Sequence, residues 1–204
     1  MKSIDTLLKA LGVEPLTEQL MKLRKIEPLE VELEVEKHED AKELVEVVRL
    51  LSKASKDRIQ YRITRKRFPL ETPPPCLKVA KESKSFAYCG YLDDFLLPIV
   101  VEALLALGGV IKPSCPSVVK SREGEAPKVR LYVVSGIPCI ISGVRLAEYL
   151  ACRDFFLEVV HAVSFNNRIG RRVVRSVPLI VVDNRVFYEG TVTSLSQIDE
   201  ILRR

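Results

Sequence analysis

Long hydrophobic runs are missing from this chain. No uninterrupted apolar stretch approaches the roughly 20 residues that span a bilayer. The N-terminus also lacks the apolar core of a secretory signal. A soluble, cytoplasmic protein without a membrane partner is the expectation. Histidine is scarce: His38 and His161 stand far apart, with no clustered cysteine or carboxylate motif, so no metal site is expected. His38 reads as a solvated loop residue and His161 as a hydrogen-bonded strand residue. No GxGxxG, GxxxxGK[ST] or HExxH occurs, which removes motif support for a bound nucleotide, another cofactor or a metalloprotease centre. Aromatic residues make up only 6% of the chain and are not interleaved with its basic runs, so a surface for stacking single-stranded bases is not indicated. Asparagine and glutamine number three each against 32 Lys and Arg, a balance that leans toward a thermophilic source.

What remains is a globular composition, 47% apolar and 29% charged, in 204 residues, enough for one large core or two small ones. The formal charge of +5 permits acidic partners without requiring them. Five cysteines are present, so within one chain at least one stays unpaired. In a mesophilic cytosol all five would be reduced, whereas hyperthermophiles keep cytosolic disulfides.

Residues 3–26 carry two short helical patterns, and Pro28 ends this N-terminal cap. LEVELEV (29–35) alternates apolar and acidic side chains, as a strand with one solvated face does. Ala41, Leu44, Val45, Val48 and Leu51 then form a helical stripe, opened by Asp40 and Glu43 at capping-box spacing. IQYRITR (59–65) alternates again and predicts a strand beside the first. After the proline-rich stretch 69–75, LKVA and SFAY form a hairpin that sets Leu77 opposite Tyr88 and Val79 opposite Phe86. The same register sets Cys76 opposite Cys89, within reach of a structural disulfide; two reduced strand cysteines are the alternative. An apolar helix follows the Asp93-Asp94 cap and stops at Gly108-Gly109. Residues 110–128 read as a linker.

Beyond the linker the order repeats. VRLYVV (129–134) is a strand, GIPCIISG a loop and helix start, and 144–152 a helix. FLEVVHAV (156–163) is a strand, and 166–172 a short basic helix. Ser176-Val177-Pro178, the strand LIVV, a turn at Asp183-Asn184, VFY, Gly190 and a final helix from Ser194 to Leu202 complete the pattern. Both halves thus read strand, helix, strand, proline, hairpin, glycine, helix. The segment SVPLIVVDNRVFYEG resembles the closing segment of the thioredoxin and glutaredoxin family, with Pro178 at the cis-proline and Gly190 at the glycine. In the first half Pro75 and Gly90 occupy the matching places. Two such halves behind a helical cap resemble the tandem protein disulfide oxidoreductases and the related N-terminal domain of the alkyl hydroperoxide reductase flavoprotein.

The resemblance implies an α/β chain of two tandem thioredoxin-like domains, each a central mixed sheet flanked by helices. Residues 1–28 would be the helical cap on the first domain, 29–109 a domain without CxxC, 110–128 the linker, and 129–204 a domain with IPCI in place of CxxC. The family's activity is thiol–disulfide exchange by a CxxC dithiol. Here Ile137-Pro138-Cys139-Ile140 falls on the motif: the proline is kept, both reactive positions are isoleucine, and Cys139 stands between them. The first half has no cysteine at its matching region, 37–40.

Three functions follow. The first is a protein- or peptide-binding scaffold lacking the ordinary dithiol cycle. The second is monothiol exchange with Cys139 as the catalytic thiol. A position just before a helix favours its thiolate, whereas isoleucine neighbours raise its pKa, and the sequence leaves the balance open. The third uses Arg168, Arg171, Arg172 and Arg175, spaced to form one basic helical face, against nucleic acid or an acidic partner. The plain reading of those arginines is a solvated surface. Cys115 reaches Cys139 only if the linker folds back, and Cys152 is a helix length away from it.

Overall fold

The computed structural model describes residues 2–37, 41–66, 75–116, 126–165 and 176–203. Two helices, α1 (Lys2–Ala10) and α2 (Leu16–Lys22), precede β1 (Leu29–Val35). Helix α3 (Lys42–Ala54) leads to β2 (Ile59–Arg65), parallel to β1. Leu44, Val48 and Leu51 of α3 are buried at the spacing of one helical face. Its N-cap is Ala41, without a side-chain bond, while Asp40 and His38 lie outside the described residues. The hairpin β3 (Cys76–Lys81) and β4 (Lys84–Cys89) pairs in the register read from the sequence, including Cys76 opposite Cys89.

Helix α4 (Leu97–Leu107) starts behind Asp93, whose Oδ1 accepts the Leu96 amide at 2.9 Å. Every residue from Pro98 to Leu107 is buried, Glu102 included, which explains an apolar character on all sides rather than one stripe. The helix packs on α2, on β3 and β4, and on α5 (Ile137–Tyr149). At Gly143 of α5 a Cβ would stand 2.3 Å from Ile99 Cδ1, so the missing side chain is what lets these helices approach. Strands β5 (Lys128–Val133), β6 (Phe156–His161), β7 (Leu179–Val182) and β8 (Arg185–Glu189), then α6 (Leu195–Arg203), complete the chain. No described helix is long and apolar enough to cross a membrane.

All eight strands among the described residues form one sheet, in the order β2-β1-β3-β4-β6-β5-β7-β8. The expected central mixed sheet flanked by helices is present, and each half of the chain contributes four strands to it. Strand β4, left with an open edge by the hairpin, pairs in parallel with β6, and an edge that would expose unpaired amides becomes interior. Lys128 belongs to β5 rather than to the linker, and α5 begins at Ile137, seven residues before the helix read from the sequence.

The internal repeat extends to single hydrogen bonds. The Gly90 amide donates to the Pro75 carbonyl at 2.9 Å, and the Gly190 amide to the Pro178 carbonyl at 3.0 Å. Tyr88 donates its hydroxyl to the carbonyl of Tyr91, and Tyr188 to that of Thr191.

One sheet face, with Val31, Leu33, Leu77, Phe86, Tyr88, Leu131, Val159 and Ile180, meets the helices in the main core. The alternate residues carry ion pairs, among them Lys66 and Lys78 with Glu34 and Arg130 with Glu158, and a small apolar cluster of Tyr132, Val160, Leu179 and Val181. The paired positions Glu34, Cys76, Cys89, Val160, Tyr132 and Leu179 run as one row across the sheet.

Candidate functional site

Six strands run one way and β3 and β7 run against them, so their C-terminal ends and the starts of β3 and β7 share one edge. Open α/β sheets place ligands at such an edge. Here it gathers the β5–α5 turn, Pro178 before β7, Cys76 and Cys89, and the segments that follow β4 and β6.

The β5–α5 turn sets the chemistry. Gly136 caps α5 with extended backbone, and its carbonyl accepts the amides of Cys139 and Ile140, each at 3.1 Å. Pro138 fits the first turn, where its missing N–H costs no helix bond. Ile137 is 39% exposed and Pro138 is exposed, whereas Cys139 is 2% exposed and Ile140 fully buried. The Cys139 Sγ accepts the Val134 amide at 3.4 Å. Burial pushes the thiol pKa up, and the amide only partly opposes it. Of the two effects left open by the sequence, desolvation prevails: Cys139 is a protonated thiol facing the core. It is the free cysteine among the described residues.

The other cysteines are bonded. Cys76 and Cys89 form a disulfide with Cα atoms 4.2 Å apart, and both are fully buried. Cys115 does not turn to Cys139 but bonds Cys152, three residues beyond the end of α5. The Val177–Pro178 peptide is cis, and Pro178 is buried. Pro75 stands immediately before β3; the peptide linking it to Pro74 falls outside the described residues. Arg168, Arg171, Arg172 and Arg175 also lie outside them.

A polar cluster not anticipated from the sequence joins the two halves of the chain at this edge. Ser164 Oγ lies 3.0 Å from His161 Nδ1 and accepts the Tyr91 amide at 3.2 Å. Ser135 donates its hydroxyl to Asp93. The Tyr91 and His161 rings sit 5.9 Å apart. Gly90 has φ +103°, and a Cβ there would meet Ser164 Oγ at 2.8 Å, so glycine is required both by conformation and by space. Burial pushes the His161 pKa down, against the nearby charge of Asp93, which favours the neutral ring. Tyr91 is 52% exposed, and three further exposed apolar side chains lie within two residues of cluster members along the chain: Phe95 (39%), Ile137 and Val163 (55%). No local pattern identifies this group, because its members come from three separate strand ends. No described residues form a cluster of metal-ligating side chains.

The sequence matches no family model and no curated protein. Solved structures do match. A protein disulfide oxidoreductase from Aeropyrum pernix K1 aligns with TM-score 0.66 at 14% identity, over 91% of this chain and 89% of that one. The alkylhydroperoxide reductase AhpF from Enterococcus faecalis V583, as its C503A mutant, gives 0.67 at 15%, over 91% and 96%. The N-terminal N/C domain of the same reductase gives 0.62 at 13%, over 91% and 96%. The fold is therefore thioredoxin-like, and the chain resembles the disulfide oxidoreductases in architecture.

Proposed function

We propose that this chain binds an extended polypeptide segment at the C-terminal edge of its sheet and does not run a dithiol cycle there. Two tandem thioredoxin-like units, fused through β4 and β6, would form the binding body. The observation that carries the reading is the exchange of positions in the first turn of α5: the exposed residue is Ile137, and the thiol of Cys139 points into the core. An exposed isoleucine cannot attack a disulfide but does offer apolar contact. Tyr91, Phe95 and Val163 extend that contact beside the polar groups of Asp93, Ser135, His161 and Ser164. A mixed surface of this kind suits a peptide with apolar side chains and free backbone groups. Negligible turnover in an insulin-type disulfide reduction assay, unchanged by Cys139→Ser, is the expected result. Turnover abolished by Cys139→Ser would overturn the reading. In parallel, selection from a random peptide library should yield ligands that Ile137→Asp weakens about tenfold or more.

A second reading has a specific observation in its favour. Disulfide oxidoreductase chemistry, the activity named for the Aeropyrum neighbour, would run through Cys76–Cys89, since that disulfide lies at the same edge beside Pro75. Its complete burial requires local opening before a thiolate reaches either sulfur. Turnover in the same assay that survives Cys139→Ser and disappears in Cys76→Ser would support it.

A further inference from the structure

The two disulfides differ in what covers them. Cys76 and Cys89 are wholly enclosed, whereas Cys115 is exposed and Cys152 half-buried. Thiol–disulfide exchange requires a thiolate to approach a sulfur directly, so access orders the two. The Cys115–Cys152 bond also spans two distinct parts of the fold: it ties the segment after α4 to the end of α5, 37 residues along the chain.

That segment has little else to hold it. The Val110 amide donates to the Leu105 carbonyl, closing the end of α4. Beyond it, among the described residues, no backbone hydrogen bond ties 111–116 to another element. Ile111 packs on the core; Lys112, Ser114 and Cys115 are exposed. The segment nevertheless forms one wall of a groove of about 380 Å³, with Ile111 and Pro113 facing Arg145 and Glu148 of α5 and Ser194 and Leu195 at the start of α6. Without the disulfide, that wall rests mainly on Ile111.

We propose that Cys115–Cys152 is a redox-active disulfide, reduced by small or protein dithiols, and that its reduction releases residues 111–116 from α5 and opens the groove they wall. The reductant's thiolate attacks the exposed Cys115 Sγ. A sulfur–sulfur bond forms there, the Cys115–Cys152 bond breaks, and its electron pair leaves on Cys152 Sγ, which takes a proton from water. The second thiol of the reductant, after losing its proton, attacks the reductant's own sulfur in the mixed disulfide, expelling Cys115 as a thiolate that is then protonated. The reductant ends as a disulfide, and the protein has gained two electrons and two protons. Cys139 takes no part, and the proposal stands independently of peptide binding at the sheet edge.

The test begins with protein oxidised to completion and then exposed, folded, to a graded series of dithiothreitol, with alkylation and peptide mass mapping at each step. Cys115 and Cys152 should be labelled about tenfold or more faster than Cys76 and Cys89. Labelling of Cys76 and Cys89 first, or at the same rate, overturns the proposal and instead favours exchange at the sheet edge. Failure of Cys115 to bond Cys152 on oxidation overturns it as well. Hydrogen exchange over 108–116 then reads the opening: protection of the Val110 amide, which donates to the Leu105 carbonyl where the segment leaves α4, should fall on selective reduction. The double variant Cys115→Ser/Cys152→Ser should show the same low protection with or without dithiothreitol. Identical protection in oxidised and reduced protein, with circular dichroism unchanged, overturns the release of the segment.

Discussion

Ile137 and Cys139 sit two residues apart in the first turn of α5 and face opposite surroundings, Ile137 39% exposed and Cys139 2% exposed. Two residues along a helix turn the side-chain direction by about 200°, so one of such a pair points out when the other points in. Whichever residue stands at the outward position decides whether the turn presents a nucleophile.

The first consequence concerns Cys139 itself. In folded protein its alkylation by iodoacetamide should be slower than in urea by about tenfold or more at neutral pH, because burial raises the thiol pKa and blocks access. The pH midpoint of labelling should lie above the ordinary thiol value and return to it on unfolding. A folded-state midpoint below the ordinary value would contradict the inward orientation.

The outward position gives a complementary test. Ile137→Cys should create a thiol that labels about tenfold or more faster than Cys139, being exposed at the start of a helix whose amide groups favour the thiolate. Equal labelling rates for residues 137 and 139 in that variant would show that the turn does not hold them as described.

Glu102 is a buried carboxyl in α4 that accepts Gln19 Nε2 at 2.7 Å. Burial, reinforced by Glu148 and Glu14 and opposed by Gln19 and Lys22, raises its pKa from the ordinary 4.5 to about 7. The folded protein therefore binds this proton more tightly than the unfolded chain. Its stabilising contribution is fully present below about pH 4 and is lost as pH rises through about 7. Urea unfolding of the parent should show this loss between pH 5 and 8 on the order of 3 kcal/mol. Glu102→Gln should flatten that interval and be the more stable protein at the alkaline end. An unchanged slope in the variant would remove Glu102 as the cause.

Packing between α4 and α5 depends on the absence of a side chain at Gly143. Gly143→Ala places a Cβ 2.3 Å from Ile99 Cδ1 and should cost about 1–3 kcal/mol of stability. Ile99→Ala makes room, so the double variant should lose less than the sum of the two single losses. Strict additivity would mean that these residues do not share the contact.

The buried Cys76–Cys89 bond closes a loop of 13 residues' separation, for which chain entropy predicts a stabilisation of about 3 kcal/mol. Cys76→Ser/Cys89→Ser should show at least that loss in thermal or urea unfolding, because two hydroxyls are left where both sulfurs are fully enclosed. A loss near zero would indicate that the bond is seldom formed in solution.

Much of the fold was legible as local pattern. Alternation in 29–35 and 59–65 marks strands because a pleated backbone turns successive side chains to opposite faces, and the hairpin register follows from the turn at 82–83. The candidate site was less legible. Its polar cluster draws Tyr91, Asp93, Ser135, His161 and Ser164 from three strand ends that meet only because β4 pairs with β6. The partner of Cys115 depended on the path of 110–116, which is set by where α4 ends relative to α5 and by no periodic signal.

The sequence by itself determined the element order, the internal repeat and the register that sets Cys76 opposite Cys89, because each follows from side-chain spacing along a strand or helix. Tertiary structure decided that the two halves share one sheet, that Cys115 meets Cys152, and that Cys139 is enclosed. Those outcomes depend on which strand edges and helix faces come together, and burial of a thiol or an edge is a property of the neighbours rather than of the residue's own segment.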